Sequence, residues 1–234
     1  MSQLQPSKFL QARDLVKIYS KGEETVRAVN GITLDIHENS FTVIMGPSGS
    51  GKSTFLNMLS GLERPTAGTV LLAGKNITKM TQTQLCEIRR HTVGIVFQFV
   101  YMHDGLTAIQ NIEYPMMIAG IDKPNSRRRA QKLIRFVGLE EKSGFLPHHL
   151  SGGEQQRIGI ARALANDPPI IIADEPTGNL DTQTAKNTIN ILLNLVENEN
   201  KTVVMVTHDE EVLSPKMHQL VMNDGKIFGK NPAK

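Results

Sequence analysis

The sequence has a single cysteine, Cys86, in 234 residues. An intrachain disulfide and a zinc site built from cysteines both need more than one thiol, so this count excludes both. A reducing compartment is therefore the expected environment of the chain.

A strong charge of one sign and a long apolar run are also absent. Lys and Arg number 26 against 23 Asp and Glu, a net charge of +3, which is too small to indicate a nucleic-acid partner. No apolar run approaches the roughly 18 to 20 residues that cross a bilayer. Residues 1–8 also lack the apolar core of a signal peptide. We expect a soluble, cytoplasmic chain that binds no nucleic acid.

The composition is that of a folded protein, with 39% hydrophobic and 21% charged residues. The length fits one large domain with an inserted subdomain, so we expect residues 1–234 to form a single domain. The stretch from about 98 to 164 has few β-branched runs and shows helical spacing between 130 and 137. We expect a helical insert there, and we expect its basic cluster at 127–129 to be a solvated helix face.

Two different hydrophobic patterns in the sequence indicate an α/β fold. Alternation near Leu10 and at 32–36 predicts an antiparallel β subdomain at the N-terminus, whereas compact apolar runs at 41–45, 170–173 and 202–206 predict buried parallel strands. Other expected elements are strands at 68–72 and 93–97, a helix at 82–90, and a hairpin turning at 224–225.

A glycine loop follows the strand at 41–45 and precedes a helical pattern. It reads Gly46-Pro47-Ser48-Gly49-Ser50-Gly51-Lys52-Ser53. Such a loop turns its backbone N–H groups toward a phosphate, and the helix N-terminus adds a positive dipole end. Lys52 is expected to reach the β- and γ-phosphates, Ser53 to bind Mg²⁺ and Thr54 to face the α-phosphate. This context between strand and helix predicts a P-loop nucleotide site.

Acidic and imidazole side chains follow two of the predicted parallel strands. Asp174 and Glu175 end one strand and His208 follows another, so all three should emerge beside the phosphate loop. We expect Asp174 to hold Mg²⁺, Glu175 to polarise the attacking water, and His208 to donate a hydrogen bond to the γ-phosphate. The expected roles of the two carboxylates differ because successive strand residues point to opposite sides.

Nucleotide hydrolysis alone leaves a GTPase, a kinase or a helicase open. The turn Ser151-Gly152-Gly153 opens a predicted helix and forms a second anion site. If the helical insert separates the two anion sites, they can share one nucleotide only when two copies meet head to tail across a two-fold axis.

At these residues the sequence resembles the ATP-binding-cassette (ABC) ATPases over nearly its whole length. The resemblance implies that Tyr19 stacks on adenine and that Gln98 touches Mg²⁺ and the attacking water. It implies that Ser151 and Gly153 close on the γ-phosphate of the opposite subunit, and that the loop ending at Asp181 lies along the dimer seam. The cofactors it implies are ATP and Mg²⁺.

The segments at 174–181 and 206–209 are similar to the lipoprotein-releasing and macrolide-export (LolD/MacB-like) branch. This implies a homodimeric ATPase that drives a separate transmembrane permease from the cytoplasmic face of the membrane. Residues 99–105 depart from the branch pattern on the surface that normally receives the permease. Two alternatives stay open: a regulatory ATP switch for cell-wall or division machinery, and a soluble ABC ATPase of translation or DNA repair.

Overall fold

The computed structural model describes residues 8–22 and 24–229. Within these residues the strands are β1 (Lys8–Lys21), β2 (Glu24–His37), β3 (Phe41–Met45), β4 (Ala67–Leu72), β5 (Lys75–Asn76), β6 (Val93–Val96), β7 (Ile170–Asp174), β8 (Thr202–Thr207), β9 (His218–Asn223) and β10 (Lys226–Gly229). The α-helices in the same ranges are α1 (Lys52–Leu59), α2 (Gln82–His91), α3 (Ala108–Ile118), α4 (Lys123–Phe136), α5 (Gly152–Ala163) and α6 (Thr182–Glu197).

The central sheet has the strand order β10-β9-β3-β8-β7-β6. Strands β9, β3, β8, β7 and β6 pair in parallel, and β10 pairs antiparallel with β9 as the predicted hairpin. Every residue of β3 and β8 is buried. Strands covered on both faces need apolar side chains at successive positions, which explains why both sequences are largely apolar.

Hydrophobic cores cover both faces of this sheet. Val43 and Ile171 belong to the core that includes α3, α4, α5 and α6. The neighbouring residues Ile44 and Ile172 belong to a second core, which contains α1 and the N-terminal strands. Alternate strand residues therefore hold the sheet between two layers.

The N-terminal sheet is antiparallel, with the order β2-β1-β4-β5. Leu10 and Ala12 are fully buried, in agreement with the predicted alternation. Near the far end of the β1–β2 ribbon, Tyr19 lies opposite Val26. The α/β fold with an antiparallel N-terminal subdomain is confirmed.

Three helices, α3, α4 and α5, lie between positions 98 and 164. The solvated face expected at 127–129 holds only in part. Arg129 is half-buried: its Nε donates to the carbonyl oxygen of Ala165 at 2.5 Å and its Nη2 to that of Leu164 at 2.9 Å. The Arg129 guanidinium thus binds carbonyl oxygens at the C-terminal end of α5 that have no hydrogen-bond partner within the helix. These bonds also hold α4 against that end of α5.

The parallel strands β3, β7 and β8 end along one edge of the central sheet. The loop at 46–51 follows β3, Glu175 follows β7, and His208 follows β8. Open parallel sheets bind ligands at this edge. Among the helices of the described ranges, none combines the length and the hydropathy that crossing a membrane requires.

Candidate functional site

The loop between β3 and α1 lies so close to neighbouring backbone that side chains are excluded at two positions. A Cβ atom at Gly46 would lie 2.1 Å from the carbonyl oxygen of Met222. At Gly51, where φ is 99°, a Cβ atom would lie 2.0 Å from the carbonyl oxygen of Ala28. Glycine is required at both because only a hydrogen fits. Gly51 also caps α1 without a side-chain hydrogen bond, which leaves the first N–H groups of the helix for an anion.

Lys52 is buried at the mouth of this loop. Its Nζ donates hydrogen bonds to the carbonyl oxygens of Gly46 at 2.8 Å and Pro47 at 2.9 Å. The same atom lies 3.7 Å from Oε1 of Glu175. A cation in this position is attractive to phosphate, and it links the loop to the carboxylate after β7.

Ser53 and Asp174 are in direct contact. The Ser53 hydroxyl donates to Oδ1 of Asp174 over 3.0 Å. Burial raises the pKa of Asp174 above its ordinary value and the neighbouring Glu175 adds to the rise, whereas Ser53 and Lys52 oppose it. The two side chains thus present oxygen ligands next to the first turn of α1.

Glu175 takes a left-handed backbone conformation, with φ at 43°. Its backbone N–H donates to the carbonyl oxygen of Val206 at 3.0 Å, so the turn is fixed to β8. Oε2 of Glu175 then lies 2.9 Å from Nδ1 of His208. We expected the two carboxylates to point in different directions because of strand alternation. Glu175 instead lies beyond the end of β7, and its left-handed backbone conformation sets the direction of its side chain.

Most of these residues line one cavity of about 750 Å³, whereas Gly46 and Asp174 are not part of its lining. This volume is within the range of about 300 to 1,000 Å³ that small-molecule sites occupy. The described residues that line it are Tyr19, Val26, Ala28, Pro47, Ser48, Gly49, Gly51, Lys52, Ser53, Thr54, Gln98, Glu175 and His208. The cavity therefore brings together Tyr19, the phosphate loop, Gln98, Glu175 and His208, as the sequence predicted.

Glu63 is a residue that the sequence reasoning missed. The Tyr19 hydroxyl donates toward Glu63, at 2.7 Å from Oε1 and 2.6 Å from Oε2. Nζ of Lys17 lies 2.9 Å from Oε1 of Glu63. No sequence pattern links Glu63 to the site, because the contact depends on how β1 and the end of α1 meet in space.

The turn at 151–153 lies at the start of α5 and is not part of the lining of this cavity in the described chain. The Ser151 hydroxyl accepts from the N–H of Glu154, and the Glu154 carboxylate accepts from the N–H of Ser151. A Cβ atom at Gly153 would lie 2.2 Å from Cγ2 of Thr184, so α5 and α6 pack closely there. One copy of the chain therefore does not bring its two predicted anion sites together.

Asp181 directly precedes α6 and caps the N-terminus of this helix. Its Oδ1 accepts from the N–H groups of Thr184 at 3.0 Å and Gln183 at 3.1 Å. The hydrogen bond with Thr184 is the main reason that the pKa of Asp181 is lowered. A smaller hollow of about 140 Å³ beside it is lined by Gln98, Gly152 and Leu180 among others. Gln98 thus contacts both the main cavity and this hollow.

The arrangement of strand, glycine loop and helix, with a buried lysine, carboxylates at the end of β7 and a histidine after β8, defines a P-loop nucleotide-binding protein. The family model described as ABC transporter matches residues 29–178. An uncharacterized ABC transporter ATP-binding protein of Thermotoga maritima is 43% identical over 222 residues, which are 95% of this chain and 94% of that protein.

Two further relatives are informative. The macrolide export ATP-binding/permease protein MacB of Escherichia coli K12 is 39% identical, and the match covers 96% of this chain but only 34% of MacB. The dimeric ATP-binding cassette MJ0796, solved in a post-hydrolysis state with ADP and Pi, has a TM-score of 0.87 and 39% identity over 93% of this chain and 96% of that one. The chain belongs to the ABC transporter family, as an ATP-binding cassette. The resemblance noted in the sequence is confirmed.

Proposed function

We propose that two copies of this ABC ATPase close head to tail on two Mg²⁺-ATP molecules, and that closing and hydrolysis drive a separate membrane permease. The observation that carries the proposal is the cavity of about 750 Å³ that the phosphate loop, Glu175, His208 and Tyr19 line together, whereas the Ser151 turn is not part of its lining. The dimeric, ADP- and Pi-bound structure of MJ0796 supports the same arrangement. In the cell, this protein would lie at the cytoplasmic face of the membrane, bound to the permease.

ATP binding follows from the chemistry of the cavity wall. The N–H groups of the loop at 46–51 and the start of α1 receive the phosphates, and Lys52 turns its three donors toward the β- and γ-phosphates. The Thr54 hydroxyl faces the α-phosphate. Tyr19 lines the cavity and is 40% exposed, which leaves ring surface on which adenine can stack.

The residues near Ser53 fit Mg²⁺ in their chemistry. Ser53, Asp174 and Gln98 offer a hydroxyl, a carboxylate and an amide oxygen, the hard ligands that Mg²⁺ prefers. Residues 8–22 and 24–229 contain no group of three or more His, Cys, Asp or Glu side chains that could form a metal cage. Such a cage is not needed, because Mg²⁺ keeps water and binds substrate phosphates. Mg²⁺ held by these residues would supply positive charge that offsets the charge of the phosphates.

Hydrolysis uses the side chains at the sheet edge. Glu175 accepts the proton of the attacking water, and the Gln98 amide orients that water. His208 donates a hydrogen bond to the γ-phosphate, and its contact with Glu175 at 2.9 Å keeps the two groups together. Lys52 neutralises charge on the phosphate oxygens.

The second copy completes the site. Ser151, Gly152 and Gly153 present a helix N-terminus and a hydroxyl to the γ-phosphate that the other copy holds, so nucleotide binds the two copies together. Asp181 lies near this seam and keeps α6 in position through its capping bonds. An isolated copy then binds ATP without the last set of donors.

Mixing two inactive variants tests this arrangement. Lys52→Ala disables the loop, and Ser151→Glu blocks the turn with a bulky side chain whose negative charge repels the γ-phosphate. If each site takes its loop from one copy and its turn from the other, the mixed dimer has one site with both defects and one intact site. We expect mixing to produce dimers that occlude one ATP each, whereas neither variant does so alone. Absence of occluded ATP in the mixture, with both variants folded, would refute the head-to-tail dimer.

A groove beside β6 is the best candidate for the permease contact. It has a volume of about 340 Å³, and its lining residues include Arg89, Arg90, Phe97, Tyr114, Ile118 and Arg162. The segment at 99–105, which differs from the LolD/MacB-like pattern, lies next to this groove. Tyr101 in this segment is 80% exposed, and its carbonyl oxygen accepts a hydrogen bond from Arg162. An apolar groove with a cationic rim suits an amphipathic segment that carries acidic side chains.

Co-purification with a permease that has four spans and a large external domain, followed by substrate flux in vesicles, tests this contact. Tyr101→Ala should weaken stimulation of the ATPase by the permease and leave the basal rate unchanged. Phe228→Ala, at another exposed aromatic residue, is the matched control. Binding without flux would favour a regulatory ATP switch over transport.

A further inference from the structure

A polar cluster surrounds the hydroxyl of Tyr19. The Tyr19 hydroxyl reaches both carboxylate oxygens of Glu63, at 2.7 and 2.6 Å. Lys17 pairs with the same carboxylate at 2.9 Å, donates to the carbonyl oxygen of Arg64 at 2.9 Å, and holds its Nζ 5.0 Å from the centroid of the Tyr19 ring. One hydroxyl, one carboxylate and one ammonium group therefore fix the ring at its edge and over one face.

Glu63 is in turn fixed to the helix that begins at the phosphate loop. The N–H groups of Leu62 and Glu63 both donate to the carbonyl oxygen of Asn57 in α1, at 2.9 and 3.0 Å. The Tyr19 hydroxyl also lies 3.4 Å from Oγ1 of Thr54, in the first turn of α1. The ring of Tyr19 is thus held at a defined place relative to the loop that binds the phosphates, although it comes from a different sheet.

We propose that Glu63 is a positioning residue that holds the Tyr19 ring in the plane on which the nucleobase stacks. This inference rests on the proposed function, since it takes Tyr19 as the base platform. Glu63 then contributes to the affinity for a base-bearing nucleotide and contributes nothing to the binding of the triphosphate itself.

Exposure explains why the ring needs such an anchor. Tyr19 is 40% exposed, so packing alone does not restrict its rotamer. The side chains of Glu63 and Lys17 are only 23% and 16% exposed. Solvent therefore screens the attraction between their charges less than it would at a fully exposed site. A ring that is already ordered loses less freedom when the base stacks on it, and affinity rises accordingly.

The test compares two probes, Mg-ATP and inorganic tripolyphosphate with Mg²⁺, by isothermal titration calorimetry. Removing an anchor that uses a hydrogen bond to a charged group should weaken ATP binding about three- to tenfold. We therefore expect Glu63→Ala to weaken ATP binding by that factor and to leave tripolyphosphate binding unchanged. Glu63→Gln keeps an acceptor but loses the charge that pairs with Lys17, so its effect should be intermediate. Glu141→Gln, at an exposed glutamate that is not part of the cavity lining, is the control.

A second variant separates positioning from general damage to the fold. Tyr19→Phe keeps the ring but removes the hydroxyl that Glu63 binds, so it should reproduce most of the Glu63→Ala loss. The double variant should lose little more than either single one, because both changes break the same contact. Full additivity of the two losses would overturn the proposal.

The ionisation of Tyr19 gives an independent readout. Burial raises the pKa of the Tyr19 phenol, and the hydrogen bond and negative charge of Glu63 raise it further. An ultraviolet titration should therefore show one tyrosine ionising at lower pH in Glu63→Ala, a change that disappears in the Tyr19→Phe background. If Glu63 did not contact Tyr19, its removal would not move this titration.

The outcomes distinguish failure of this inference from failure of the proposed function. Equal losses for ATP and tripolyphosphate, or no loss for either, would overturn the role of Glu63. Lys52→Ala serves as the reference, because it should weaken both probes. If Lys52→Ala weakened neither, the loop would not be the phosphate site and the proposed function itself would fail.

Discussion

The substitution Glu175→Gln separates nucleotide binding from hydrolysis. Glutamine has nearly the same shape, so it can keep a contact with Nδ1 of His208, which lies 2.9 Å from Oε2 of the native carboxylate. It has no basic carboxylate to accept a proton from water. We expect the turn with φ at 43° to be kept in this variant, because glutamine and glutamate have the same backbone requirements.

The size of the effect follows from the role of a general base. A positioned base contributes about 10²- to 10⁴-fold to a rate, or about 3 to 5 kcal/mol of barrier at about 1.4 kcal/mol per tenfold change. We expect kcat to fall by that factor. ATP affinity should be retained or increased, because a negative charge 3.7 Å from Nζ of Lys52 disappears and no longer competes with the γ-phosphate.

Phosphate release under saturating Mg-ATP measures the rate, and light scattering with ATP measures assembly. The variant should accumulate as a dimer with ATP, whereas the wild-type protein should cycle between the two states. Glu141→Gln is the control for a neutralised glutamate elsewhere. A rate within threefold of wild type would refute the assignment of Glu175 as the base, and a monomer at every ATP concentration would refute closure by nucleotide.

Three further outcomes follow from particular contacts. Lys52→Ala should weaken ATP affinity about 10-fold or more in calorimetry, because it removes a charge-assisted contact with phosphate. Gly51→Ala should lower the melting temperature and abolish ATP binding, since the methyl group would lie 2.0 Å from a carbonyl oxygen. Burial alone would raise the pKa of Asp35, but hydrogen bonds and charges from Lys8 and Arg13 outweigh it and hold the pKa below the ordinary 3.8. The stability that Asp35 contributes is therefore present above pH 3.8 and lost as the pH falls through the lower folded value. Asp35→Asn should unfold more easily than wild type at pH 7, by about 1 kcal/mol in urea, with the difference vanishing at acid pH.

The parts of the fold that depend on local pattern could be predicted from the sequence. Apolar runs marked β3, β7 and β8 because strands buried on both faces cannot alternate. Glycine, lysine and serine at fixed spacing marked the phosphate loop, because few residue types are compatible with the backbone conformation of such a loop. The short strand β5 was not predicted, since two residues carry no periodic signal.

The contacts that depend on long-range packing could not be predicted. Arg129 belongs to a basic cluster that looked like a solvated face, yet it binds the carbonyl oxygens at the end of α5. Glu63 lies in a polar loop with no motif of its own, and it contacts Tyr19 only because β1 and α1 meet. In both cases the partner is a single group on another element, which leaves no repeated pattern in the sequence.

The position of Lys52 explains why one copy should hydrolyse ATP slowly. Its ammonium group is shared between two carbonyl oxygens of its own loop and the carboxylate of Glu175, all within 3.7 Å. A γ-phosphate that takes this cation leaves Glu175 beside a new negative charge, which disfavours the bound state until further donors arrive. The Ser151 turn lies outside the cavity lined by the described residues, so a single copy does not supply its donors there. If a second copy supplies them, the charge balance of the cavity makes hydrolysis depend on assembly of the dimer.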